Sequence, residues 1–261
     1  MKNEYVAKFW QKWSIAVKII PILLLVLILK TLSHKFGFEV IALNAIFTSL
    51  VGGTIFLLGF LISGVLSDYK ESEKLPGELA ASLESLHDEA HTMISVKNSK
   101  AAKDFLEYHK SFMQLLNDWL YKKEKTSAIL KSVSKMNAFF IEMEKEGVQA
   151  GFIIRMKTEQ NNLRKMIIRI HTIRDTDFIA SGYAIVEALG VSIAVAMILI
   201  KMDKFYESLI FTMLVTFLIS YMFFLIKDLD NPFDYSVHGE SGTEVSLKPI
   251  HDLEKRLKEN R

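Results

Sequence analysis

Val40 to Leu66 contains no Asp, Glu, Lys or Arg. No other feature of the sequence limits the fold so strongly, because a helix of roughly 20 mostly apolar residues crosses the hydrocarbon core of a bilayer. Three further stretches share this character. Phe178 to Ile200 contains only Glu187, and Phe205 to Ile226 only Glu207 near its start. Ile15 to Leu32 is weaker, since it holds Lys18, Pro21 and Lys30. Both lysines are near its ends, where long stems reach the headgroups. The sequence thus predicts four transmembrane helices in two pairs. Composition alone, 50% hydrophobic and 24% charged over 261 residues, suits one or two soluble domains. The segregation of the two residue classes excludes that.

The links inside each pair are short, Ser33 to Glu39 and Lys201 to Lys204, so every sizeable polar region lies on one side of the membrane. Lys2, Lys8, Lys12 and the lysine-rich middle region assign that side to the cytoplasm, with Lys201 and Lys204 counting mildly against it. No small-residue cleavage site follows the first apolar stretch, so a removed signal peptide is not expected. The absence of cysteine excludes disulfides, thiolate zinc sites and cysteine nucleophiles. A net charge of +2 identifies no partner, and the acids of the middle region balance its bases, which argues against nucleic acid.

From Ser67 to Thr176 apolar residues recur at helical spacing. Phe105, Leu106, Phe112, Leu116 and Leu120 form one series; Ile129, Leu130, Val133, Met136, Phe140 and Met143 a second; Leu163, Met166, Ile167, Ile170 and Ile173 a third. Breaks are expected at Asn98-Ser99, at Lys122 to Lys125 and around Gly147 to Gly151, and no strand pattern appears. Helices packed apolar face to apolar face explain the region. Span two runs directly into Asp68-Tyr69-Lys70-Glu71, and Arg164 to Asp177 runs directly into span three, so continuous helices are expected to join the spans to the bundle. Val245 to Leu257 reads as a short amphipathic helix that docks through Leu247, Ile250, Leu253 and Leu257. The expected division is 1–66 (N-terminal tail and spans one and two), 67–176 (cytoplasmic helices), 177–227 (spans three and four) and 228–261 (cytoplasmic tail).

Three motifs against this span pattern resemble the bestrophin family of ion channels and its smaller bestrophin-like prokaryotic members. The first is Gly59-Phe60, then Glu71, Lys74-Leu75-Pro76-Gly77-Glu78-Leu79 and Ser85-Leu86. The second is Asp177-Phe178-Ile179-Ala180, entering span three, and the third is Asp230-Asn231-Pro232-Phe233 after span four. The Arg-Trp-Trp block of bestrophins proper is Asp68-Tyr69-Lys70 here, which brings the chain nearer the bestrophin-like members. The acidic run that clasps calcium in the animal channels is replaced by Asp234-Tyr235-Ser236-Val237-His238-Gly239-Glu240, so the resemblance does not extend to calcium gating.

The resemblance implies an all-α fold of four transmembrane helices continuous with a cytoplasmic helical bundle, assembled as a homopentamer around one axial pore. Its partners would be copies of itself, inorganic ions and membrane lipid, without a cofactor. By the same resemblance Gly52, Phe56 and Phe60, four residues apart on one helical face, line an apolar neck. Such a neck excludes ions until it widens and wets; lipid contact or helix packing is the alternative. Ile154 corresponds to a second constriction at the cytoplasmic exit, with Ile153 or plain core packing as the alternatives. Asn44, Thr48, Ser49 and Thr54 are polar at membrane depth, so some of them should face protein or water. Glu187, costly in the middle of span three, calls for a partner, a proton or water, and Lys18 is one possible partner.

His87-Asp88-Glu89-Ala90-His91 spaces two histidines by one helical turn. In so charged a region a solvated helix face is the expected reading, and no metal site is assigned. No catalytic triad or phosphate-binding loop stands out, so an enzyme is not expected. Chloride is the family's usual cargo, while Asp68, Glu71 and Glu73 would favour cations if they faced the pore. The rival functions are a non-conducting oligomeric scaffold or sensor and a secondary transporter, for which four spans without an inverted repeat are few.

Overall fold

The computed structural model describes the backbone of residues 2–175, 180–235 and 244–259, and their side chains from residue 13 onward except that of Ala180. Asp177-Phe178-Ile179 and Ser236 to Glu240 lie outside the described residues, as do the side chains of Lys2, Lys8 and Lys12. The elements are α1 (Lys2–Phe36), β1 (Ile41–Ala42), α2 (Ala45–Ser72), α3 (Leu75–Lys97), α4 (Lys100–Leu120), α5 (Thr126–Lys145), α6 (Ala150–Asp175), α7 (Ala180–Leu199), β2 (Ile200–Lys201), α8 (Phe205–Asp230) and α9 (Lys248–Glu259). The chain divides into two compact units, Met1–Asp68 with Asp177–Asp230, and Tyr69–Thr176 with Asn231–Arg261.

In the first unit α1, α2, α7 and α8 are each long and apolar enough to cross a membrane. Leu58 and Val65 of α2, Val186, Ile193 and Met197 of α7 and Ile219 and Ile226 of α8 form one packed cluster, Ile19 and Val26 of α1 are also buried, and many large apolar side chains are left exposed. An outward-facing apolar surface of this kind suits lipid or further protein, not water. The two short links meet: β1 pairs with β2 in parallel, Ile41 opposite Ile200 and Ala42 opposite Lys201. Two-residue strands leave no periodicity to read, which is why the sequence gives no sign of them.

The second unit is a helical bundle whose core runs through Leu79, Leu83 and Leu86 of α3, Phe105, Phe112 and Trp119 of α4, Val133 and Phe140 of α5, and Leu163 and Ile167 of α6. Each break has a local cause. Asn98 ends α3 in the left-handed region (φ 52°), where its N–H donates to the Ile94 carbonyl at 2.8 Å. Ser99 then caps α4, accepting from the Ala102 N–H at 3.1 Å. Glu146, at the end of α5, accepts from the Ala101 N–H at 3.0 Å, so a second free donor at the start of α4 is met from another helix. Gly147 follows at φ 76°, a conformation that suits glycine. A further break, at Glu73-Lys74, was not expected from the sequence; Pro76 in the first turn of α3 explains it, since proline suits a helix start and not its interior. The tail docks as expected, with Leu247, Ile250 and Leu253 fully buried and Leu257 packed against the core.

Candidate pore-lining site

Residues two apart on a helix lie on nearly opposite faces, and residues four apart on the same one. In α2 the packed face carries Thr54, Leu58 and Val65. Phe56 and Phe60 lie on the other side, 78% and 70% exposed within the chain. Gly52 is exposed one turn earlier, and Ser63 and Ser67 are exposed further along. A Cβ added at Gly52, Gly53 or Gly59 would meet nothing within 4 Å. Glycine in a helix interior costs about 1 kcal/mol relative to alanine, and packing among the described residues does not require it at any of these positions.

Asn44 and Thr48 are both exposed, at the start of α2. The Asn44 Oδ1 accepts from the Phe47 N–H at 2.9 Å, and the Thr48 hydroxyl donates to the Asn44 carbonyl at 3.1 Å. They cap the helix. Thr54 is the polar residue that turns inward; its hydroxyl donates to the Leu50 carbonyl at 2.9 Å.

The charged residues of the spans differ from expectation. Lys18 pairs with Asp228, Nζ to Oδ1 3.2 Å, and not with Glu187. Glu187 instead lines a largely apolar cavity of about 310 Å³ beside Gly190, Thr216 and Ser220. Lys30 does not reach out to the headgroups. It is fully buried, donating to the Ile200 carbonyl at 2.6 Å and pairing with Glu39 at 2.8 Å. His34 Nδ1 meets the other Glu39 oxygen at 2.8 Å, and its ring stacks on Phe205 with centroids 4.1 Å apart. Burial alone would raise the Glu39 carboxyl, but the hydrogen bonds from His34 and Lys30 outweigh it and hold the group below its usual range. This clamp ties α1, the first link and β2 together. The only sequence sign of it is two opposite charges close together at one end of span one.

In the second unit Ile154 is 63% exposed and Ile153 6%, so α6 buries Ile153 and presents Ile154. Core packing therefore does not account for Ile154. Glu71 is held by Arg169 through two bonds, Nε to Oε1 3.2 Å and Nη2 to Oε2 3.0 Å. His87 also departs from the expected solvated face. Its ring turns inward toward His109, and only His91 is fully on the exposed surface.

A Bestrophin-like domain model matches residues 17–238, most of the chain. The chain belongs to the bestrophin-like family. Its fold is that of bacterial bestrophins. Two crystal structures of variants of a bestrophin homologue from Klebsiella pneumoniae align with TM-scores of 0.77 and 0.75, each at 15% identity. Each alignment covers 93% of this chain, and 97% and 98% of theirs. A further membrane-protein crystal structure aligns with a TM-score of 0.78, also at 15% identity and over 93% of this chain. No curated protein matches the sequence. The bestrophin-like Pro232-Phe233 motif has a structural use here. Phe233 is fully buried in the bundle core, and the Pro232 carbonyl accepts from the Val245 N–H at 2.9 Å, pinning the tail before α9.

Proposed function

We propose that this integral membrane protein is an ion channel built from several copies of the chain, with five as the number the family resemblance implies. In this reading α2 of each copy faces a common axis. The observation that carries it is the free face of α2, where two phenylalanines one turn apart adjoin glycines that no packing among the described residues requires. Glycine lets helices approach closely, and a ring of phenylalanines makes a dry constriction that passes ions only when it widens. Gly52, Phe56 and Phe60 form the neck, and Ile154 contributes a second apolar ring at the cytoplasmic exit. Both termini and the helical bundle are cytoplasmic, and the membrane is the cell membrane.

The permeant ion is an anion such as chloride. Of the three acids that would favour cations, Asp68, Glu71 and Glu73, Glu71 has its charge offset by Arg169. Purified protein in planar bilayers under a potassium chloride gradient tests this reading. A reversal potential near the chloride equilibrium value is expected. A value near that of potassium would make the protein a cation channel of the same fold, and no current at all would leave the scaffold reading.

A further inference from the structure

The proposed topology puts the two short links outside the cell, where lysine is scarce because positive charge concentrates in cytoplasmic loops. In and around these links Lys30 is matched by Glu39, and Lys204 by Glu207, Nζ to Oε1 3.2 Å. Lys35 and Asp203, both exposed, balance in number. Lys201 is the surplus. It is exposed and forms no ion pair among the described residues.

The pairing of the links fixes where this charge sits. β1 and β2 run in parallel, with Ala42 opposite Lys201. Successive strand residues face opposite sides. Ile200 accordingly packs inward, 1% exposed, with Ile41 half-buried beside it, while Ala42 and Lys201 are exposed. Two residues after Ala42 comes Asn44, the head of a stripe of exposed residues spaced by four: Asn44, Thr48, Gly52, Phe56 and Phe60. Residues at that spacing share one helix face. With paired strands about 4.8 Å apart and a rise of about 3.3 Å per residue, the backbone of Lys201 lies about 8 Å from the head of the stripe. The lysine is thus tied to the end of the same face that carries the two phenylalanines.

We propose that Lys201 is a selectivity residue of the channel: one lysine from each copy rings the outer mouth and draws anions toward the α2 path. This rests on the channel reading and adds to it a residue outside the neck. Rings of lysine or arginine favour anions in pores. Being solvated, Lys201 acts by raising the local chloride concentration and not by holding an ion. Such an effect is bounded by salt. Screening acts over about 10 Å at about 0.1 M and about 3 Å at about 1 M, so the head of the stripe feels Lys201 in the first condition and not in the second.

Recording from the full-length protein in planar bilayers tests this, with potassium chloride on the outer side at about 0.1 M or about 1 M. At the lower concentration Lys201→Gln should reduce chloride current entering from outside about twofold and Lys201→Glu about fourfold. At the higher one both should match the parent, and dilution of the cytoplasmic side alone should not bring the difference out. Because the chain has no cysteine, Lys201→Cys gives the same test within one recording, free of any effect on folding. A positively charged thiol reagent on the outer side should raise its low-salt current and a negatively charged one should lower it. A conducting parent whose low-salt current Lys201→Glu leaves unmoved would overturn the proposal while the channel reading stands. So would equal responses to the two reagents, or a difference brought out equally from the cytoplasmic side. A parent that passes no current, or reverses near the potassium value, would overturn the anion channel itself and this proposal with it.

Discussion

Replacing Phe56 and Phe60 together with alanine separates a pore-lining face from a packed one. A fully buried phenylalanine such as Phe105, 0% exposed, should cost about 3–5 kcal/mol when truncated. Phe56 and Phe60 have only about a quarter of their surface covered within the chain. With about 200 Å² per ring and about 25 cal/mol per Å², each truncation costs about 1 kcal/mol. The double variant should therefore be less damaged than Phe105→Ala alone. If the rings form the neck, their loss widens it, and ion flux through reconstituted vesicles should rise severalfold with weaker gating. Flux and thermal unfolding in the same detergent are measured side by side. Unchanged or reduced flux, with destabilisation matching Phe105→Ala, would show that these rings pack against other helices, and would refute the assignment.

Lys30→Met strands Glu39 in its buried clamp and should destabilise the first unit by about 3–5 kcal/mol, whereas Lys30→Met with Glu39→Gln should recover most of that; denaturation midpoints of the three proteins check it. His109 titrates near 4 in the folded protein against about 6.5 when unfolded. The unfolded chain therefore binds the extra proton first, and stability present above pH 6.5 is lost as pH falls to 4, by about 3 kcal/mol. His109→Leu should flatten that part of the melting-temperature profile. A cysteine placed at Lys35 should react with an impermeant thiol reagent added outside intact cells, and one at Lys100 should not; the reverse pattern would invert the topology.

The spans were legible because charge-free stretches of membrane length have few other uses, and the bundle because its apolar residues repeat at helical spacing. The breaks at Asn98-Ser99 and Gly147 were legible for a local reason, since both positions take backbone conformations that few residues favour. What the sequence concealed depends on distant partners. Lys30 reads as a lysine reaching for the headgroups until Glu39 and the Ile200 carbonyl are brought to it. His87 reads as a surface residue until α4 places His109 behind it. Ile153 and Ile154 are adjacent apolar residues, and the packing of α6 decides which one is buried. The Phe56/Phe60 face was legible as a face, but its role depends on what covers it, which in the proposed assembly is other copies of the chain.

The central claim is that α2 lines the path of the ions, and the chain's lack of cysteine makes it directly testable. Phe56→Cys introduces a single thiol, and a charged methanethiosulfonate reagent is added during bilayer recording. Irreversible loss of current, faster when the channel is open, is the predicted result. A thiol that reacts without changing the current, or current that persists while the thiol reacts only with lipid-soluble reagents, would place Phe56 outside the ion path and contradict the account.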